Sequence, residues 1–282
     1  MEIKYVTANG LRFAYLEAGP SDGPLVLLIH GFPDCAYSWD ASMTALAADG
    51  YRCVAYFQRG YSPSEIPADG KYDVDTLAAD ALALIPALGA QTAVIVGHDW
   101  GAGAAYGAAA LEPDRVKALV TLAIPHPGGV RFTPNLLWAT RHFLTLNLPG
   151  AVKKLRADNF ALIDHLWHRW DPGWKNIPAS ETAHAKEALR PAGHAEAAVG
   201  YYKTLRRWIP ASHRLQIRVP TAAFAGTEDI VSTRVYEKSR KMFTAAYEVV
   251  QIPGGHFAHR QHPDVFIPEL RRVVREKSAA VR

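Results

Sequence analysis

Cysteine is scarce in this sequence: Cys35 and Cys53 are the only two among 282 residues. They form no CxxC pair and no metal-ligand cluster, which argues against a disulfide framework and leaves two reduced thiols as the expectation. No apolar run approaches membrane-spanning length. The opening stretch MEIKYVTANGLRFAYLEAG alternates with polar interruptions and does not read as a secretory signal. A soluble, cytoplasmic protein without a membrane partner is therefore expected. Charge of one sign is not concentrated either. The net charge is +4, but the basic residues are scattered apart from pairs such as Lys153-Lys154, Arg206-Arg207 and Arg271-Arg272. Nucleic-acid binding wants a basic stripe on a matching fold, so no nucleic-acid partner is expected. Internal repeats, low-complexity tracts, metal motifs and a dinucleotide fingerprint are all lacking, so no metal and no cofactor is expected. Oligomeric state stays open.

What is present is a globular composition, 49% hydrophobic and 21% charged, in a chain long enough to bury a large core. KYVTANGLRFAYLEAG reads as a hairpin turning at Asn9-Gly10. PLVLLIH, from Pro24 to His30, is a continuous apolar run, as a strand buried on both faces should be. SWDASMTALAADG reads as a helix ending at Gly50, and YRCVAYFQ as the next strand. Helical spacing follows in DVDTLAADALALIPALG, then the strand TAVIVGH, an alanine-rich helix and the strand ALVTLAIP. This alternation predicts a mostly parallel sheet flanked by helices. The rhythm breaks at Pro125-His126-Pro127-Gly128-Gly129. Residues 130–215 read as helical and tryptophan-rich, a cap inserted between core segments 1–129 and 216–282. The strands RVPTAAFAGTED and YEVVQIPGGH and a charged last helix complete the pattern. Ligands of such sheets bind at the carboxyl edge, where an insert would form a lid.

One stretch carries chemistry. VIVGHDWGAGAA places Gly97-His98-Asp99-Trp100-Gly101 between a strand and a helix. That is the context of a nucleophile elbow, with Asp99 where a serine is usual. Small glycines suit the close packing and unusual backbone angles of such a turn. The partners should follow in the order acid, then histidine. FAGTEDIV supplies Asp229, with Glu228 as the fallback, and PGGHFAHRQHP supplies His256. His259 and His262 lie on the way into the last helix, where a surface role is expected. IHGFPD follows the third strand, where an oxyanion-hole loop belongs, so the N–H groups of Phe32 and Trp100 are the candidate donors.

HGFP, GHDWGA, the GTED acid loop and the GGHF histidine together resemble the α/β-hydrolase fold, in the branch of epoxide hydrolases and haloalkane dehalogenases. RGYSPS, from Arg59 to Ser64, resembles that branch's RGYGxS loop with Ser62 in place of a glycine. The resemblance covers the whole chain. It implies two-step hydrolysis: Asp99 forms an alkyl ester, His256 activates the water that cleaves it, and Asp229 orients the imidazole. A serine-type esterase is unlike this, since a carboxylate cannot perform its first step. AAVGYYKTLRRW, from Ala197 to Trp208, resembles the lid helix whose tyrosine protonates the epoxide oxygen. The match falls on Tyr202, with Tyr201 as the near alternative. The lid stretch LLWATRHFLTLNLPG has no tyrosine, and His142 stands as the candidate second donor. His30, Trp138 and Tyr201 are expected to line the substrate, and WHRWDPGW to form an aromatic wall for a small apolar or aromatic epoxide.

Two other functions compete. A haloalkane dehalogenase would use the same nucleophile, with Trp100 and a lid tryptophan (Trp138, Trp167, Trp170 or Trp174) on the halide. Fluoroacetate dehalogenases usually carry Arg after the nucleophile, where this chain has Trp100. A binding protein on the hydrolase scaffold would hold an apolar ligand without turnover.

Overall fold

The computed structural model describes residues 1–130, 133–204 and 209–279. The chain opens with β1 (Ile3–Ala8) and β2 (Leu11–Ala18), an antiparallel hairpin. Asn9 and Gly10 turn it with φ of 45° and 74°, the sign that a two-residue turn between right-twisted strands requires. Six more strands follow: β3 (Leu25–Ile29), β4 (Arg52–Tyr56), β5 (Ala93–His98), β6 (Val116–Leu122), β7 (Thr221–Gly226) and β8 (Tyr247–Ile252). They form one sheet in the order β1-β2-β4-β3-β5-β6-β7-β8. Pairing is parallel from β4 to β8 and antiparallel only at β1-β2 and β2-β4.

Every residue of β3, β5 and β7 is buried, which is why these strands are runs of apolar or small residues, broken only by His98 at the end of β5. Helices α1 (Asp40–Ala48), α2 (Val74–Ala87) and α3 (Trp100–Leu111) connect the core strands. Asp73 caps α2, its side chain accepting the Thr76 N–H at 3.0 Å. Between β6 and β7 the described residues contain helices and turns but no strand: α4 (Pro134–Ala139), α5 (His142–Asn147), α6 (Ala151–Trp170), α7 (Ala179–Leu189) and α8 (His194–Lys203). Helix α6 is interrupted at Ala157–Phe160. The chain is already tied to the core at Ser212 and His213. Asp75 at the start of α2 accepts the Ser212 N–H at 3.2 Å, and His213 bonds the Gly103 carbonyl at 2.8 Å. Helices α9 (Thr233–Lys238), α10 (Ala258–Gln261) and α11 (Pro263–Ala279) finish the fold. Among the described residues no helix is long and apolar enough to cross a membrane.

Because the central strands are parallel, their carboxyl ends share one edge. The loops after β3, β5, β7 and β8 meet there.

Candidate active site

Asp99 sits between β5 and α3 with φ 51° and ψ −117°. A positive φ on a residue with a Cβ costs about 1–3 kcal/mol, so the surroundings must hold it. They do so by close approach. A Cβ on Gly97 would lie 2.3 Å from the Gly101 carbonyl oxygen, and one on Gly101 would lie 2.3 Å from that of Ile29. The glycines therefore supply the packing of the elbow. The unusual backbone angle expected of them falls on the aspartate itself. The Asp99 carbonyl accepts the N–H groups of Ala102 and Gly103 at 2.9 and 3.1 Å, so α3 starts directly from the turn.

His256, after β8, faces Asp99 with Nε2 at 3.5 Å from Oδ2. Its Nδ1 lies 3.3 Å from Asp229 Oδ1, and the Asp229 side chain is fully buried. Glu228 is exposed, so Asp229 is the acid that meets the imidazole. Burial pulls the His256 pKa down, but the charge and hydrogen bond of Asp229, with the nearby Asp99 carboxylate, outweigh it and raise it to about 10. Burial opposes ionisation of Asp99 too, yet His256 and the Phe32 N–H bring its pKa below the ordinary value. The two shifts favour a carboxylate facing an imidazolium.

The other Asp99 oxygen, Oδ1, accepts the Phe32 N–H at 2.8 Å. Gly31 lets the loop come this near, since a Cβ there would sit 2.3 Å from Asp99 Cβ. Trp100 is the first residue of α3, so its N–H has no acceptor within the helix.

Tyr202, from α8, is buried against Phe32 and Trp100, with ring centroids at 5.2 and 5.4 Å. Burial and the nearby Asp99 charge hold its phenol well above the usual pKa, while the Trp100 indole draws it back in part. His142, from α5, lies 5.8 Å from the Tyr202 ring and 4.7 Å from Trp170. Burial pushes its pKa down to about 3, so the ring is neutral and carries one N–H. His142 also lines a cavity of about 620 Å³ between α5 and α6, with Leu144, Leu148, Leu162 and Arg169.

The sequence model of the alpha/beta hydrolase fold matches residues 24–263. The chain belongs to the α/β-hydrolase fold family. Epoxide hydrolases recur among its relatives. It is 28% identical to the AB hydrolase superfamily protein YfhM of Bacillus subtilis, over the whole chain and 95% of that protein. Against Epoxide hydrolase A of Mycobacterium tuberculosis the identity is 42% over 139 residues, which cover 49% of this chain and 43% of that one. The crystal structure of Epoxide Hydrolase A from Mycobacterium thermoresistibile is similar at a TM-score of 0.76 and 26% identity, covering 97% of this chain and 98% of that one.

Several expected site residues of this hydrolase lie elsewhere. The Tyr201 hydroxyl donates to the Arg59 carbonyl at 2.8 Å, and Arg59 pairs with buried Asp80, so Tyr201 braces the RGYSPS loop instead of meeting substrate. Both His30 ring nitrogens are engaged, one with the Gly31 carbonyl at 2.9 Å and one with the Gln58 N–H at 3.1 Å. His30 thus shapes the HGFP loop from behind. Trp138 is 70% exposed under the Arg141 guanidinium and does not line the site, because its face of α4 points outward. His259 is buried and bonded to Ser38, not on the surface, since the first turn after His256 folds back under the elbow. Residues 205–208, which complete the lid motif and include Arg206-Arg207, lie outside the described residues, as does Arg131.

Of the aromatic wall, Trp170 reaches the site, 4.9 Å from the His256 ring, while Trp167 stacks on Phe257 at 3.6 Å. Asp171 was hidden inside that aromatic stretch, and nothing in its sequence context marks it. It bonds the backbone on both sides of His256. Asp34, His98 and His259 bring one side-chain atom each within 4.8 Å of one another behind the site. Asp34 and His98 are 3.9 Å apart, wider than the roughly 3.4 Å edge of a tetrahedral zinc site. The positive charge of the neighbouring Arg260 also opposes a divalent cation there.

Proposed function

We propose that this protein is an epoxide hydrolase that opens a small apolar or aromatic epoxide to a vicinal diol, with water as co-substrate. One observation carries the reading. Asp99 stands between two layers, with His256 3.5 Å away on the core side and buried Tyr202 packed over Phe32 and Trp100 on the cap side. Residues 130–215 form the cap in this reading. The buried free thiols Cys35 and Cys53 suit a reducing compartment, and we place the enzyme in the cytoplasm.

In the first step Asp99 Oδ2, the oxygen not bonded to Phe32, attacks an epoxide carbon. The carbon–oxygen bond breaks, and the leaving oxygen takes the Tyr202 proton while the His142 N–H donates a hydrogen bond. A raised phenol pKa keeps that proton available in the resting enzyme. Esterification removes the Asp99 charge that helped hold the imidazolium, so His256 releases its proton and Tyr202 regains one from solvent. In the second step His256 takes a proton from water, whose oxygen attacks the Asp99 acyl carbon. Charge develops on Oδ1, next to the Phe32 and Trp100 N–H groups. The acyl–Oδ2 bond breaks, the diol oxygen takes the proton from His256, and the carboxylic acid left behind returns its own proton to His256.

A halide would need the Trp100 indole N–H. The buried Tyr202 ring lies edge-on to Trp100 and brings a phenol to this side of the site, which favours an oxygen leaving group over a halide. The test is His256→Gln, incubated separately with an epoxide panel and a haloalkane panel, followed by intact mass and peptide mapping. An epoxide-mass adduct on Asp99 is expected. An adduct from haloalkanes alone would hand the case to a dehalogenase, and no adduct from either panel would favour ligand binding without turnover.

A further inference from the structure

The turn that carries His256 is held from the cap. Three consecutive backbone N–H groups donate to two cap residues. Gly255 N–H reaches Asp171 Oδ1 at 3.1 Å, and His256 N–H reaches the Trp170 carbonyl at 3.1 Å. Phe257 N–H reaches both Asp171 oxygens at 3.1 Å. Trp170 is the last residue of α6, and Asp171 follows it. The approach depends on Gly255, where a Cβ would lie 2.2 Å from the Trp170 carbonyl oxygen and 2.8 Å from Asp171 Oδ1. On the other side His98 Nε2 bonds the His256 carbonyl at 3.0 Å. The backbone of the general base is thus pinned at its carbonyl by the core and at its N–H by the cap.

Asp171 is fully buried, and among the described residues no lysine or arginine pairs with it. Burial pushes the Asp171 pKa up to about 7, while the His256 charge and the Phe257 and Gly255 N–H groups pull it back, so a group costly to bury has its oxygens met by the base turn. A group this demanding, aimed at the two amides that flank the base, does more than fill space. Its contacts are with the base turn, while the nucleophile, Phe32, Trp100 and Tyr202 are held by other elements.

We propose that Asp171 is a positioning residue for ester hydrolysis: a cap carboxylate that fixes the 255–257 turn so that His256 Nε2 stays over the Asp99 ester. The inference rests on the two-step reading above for its kinetic form. Its loss slows hydrolysis of the alkyl-enzyme and leaves alkylation nearly intact.

The experiment compares wild type, Asp171→Ala and Asp171→Asn with styrene oxide as probe. Rapid quench and intact mass give the alkylation and hydrolysis rates separately. For Asp171→Ala a fall of about 10²-fold in hydrolysis is expected, with alkylation within about threefold, so the ester accumulates. Asparagine keeps an acceptor for the Gly255 and Phe257 N–H groups, and a loss of about tenfold in hydrolysis is expected. Equal slowing of both steps, or an unchanged hydrolysis rate, would overturn the proposal. If the alanine variant does not fold, Asp171→Asn decides by the same ratio. Amide hydrogen exchange of residues 255–257 is measured in parallel and needs no turnover. Absence of any adduct in His256→Gln would count against the epoxide reading, whereas unchanged exchange at 255–257 in the Asp171 variants would count against the latch itself.

Discussion

Asp99, Asp229 and His256 come together from the ends of β5, β7 and β8, whereas Tyr202, His142 and Trp170 stand on helices α8, α5 and α6 between β6 and β7. In the core, ladder hydrogen bonds set the register, and each strand can end at only one place along the shared edge. In the cap, a side chain's direction depends on how a helix is rotated against its neighbours. Tyr201 and Tyr202 show the consequence. They differ by one position, about 100° around the helix. One is bonded to Arg59 and the other packs on Phe32 beside Asp99, with Trp100 against both rings. Core residues are located by topology, and cap residues by packing.

The largest effect should come from breaking the cap's contribution to the first step. Tyr202→Phe is expected to lower the alkylation rate by about 10²-fold while leaving hydrolysis of a preformed ester unchanged. His142→Phe is expected to cost about tenfold in the same step, because it removes a hydrogen-bond donor and not the proton source. Single-turnover quench measures both, and an unchanged alkylation rate in His142→Phe would remove that residue from the mechanism.

A second measurement sharpens the core side. The folded pKa of His256, about 10, lies above the unfolded value of about 6.5. Stabilisation from its pairing with Asp229 and Asp99 is therefore fully present below about pH 6.5 and is lost as pH rises through about 10. The difference in melting temperature between wild type and His256→Gln should shrink across that window. A pH-independent difference would mean that the resting imidazole is neutral.

The smallest effect falls on the neighbour. Tyr201→Phe should destabilise by about 1 kcal/mol in urea unfolding, through the unmet Arg59 carbonyl, with both half-reactions close to wild type. A drop in alkylation matching that of Tyr202→Phe would reverse the assignment of the two tyrosines.

How much was legible follows the same division. The hairpin at Asn9-Gly10, the strand–helix alternation, the elbow at Asp99 and the order Asp99, Asp229, His256 could all be read along the chain, because period, turn chemistry and strand ends are local. The resemblance pointed to Tyr202, which the structure packs on Phe32 and Trp100. Locality failed at His30, whose two nitrogens are engaged by the backbone, and at Trp138, whose helix face turns outward. It failed again at Asp171, a carboxylate between tryptophans that meets the His256 turn across 84 residues of sequence.

By itself, then, the sequence determined that a carboxylate stands at the sharpest turn of a parallel sheet, with an acid and a histidine to follow. Strand periodicity and turn residues decide those positions within short stretches of chain. Only the tertiary structure decided which tyrosine packs on Phe32 near Asp99, which histidines are engaged by the backbone, and which residues between β6 and β7 hold the 255–257 turn. Those are contacts between elements distant in sequence, and packing geometry, not residue type, selects them.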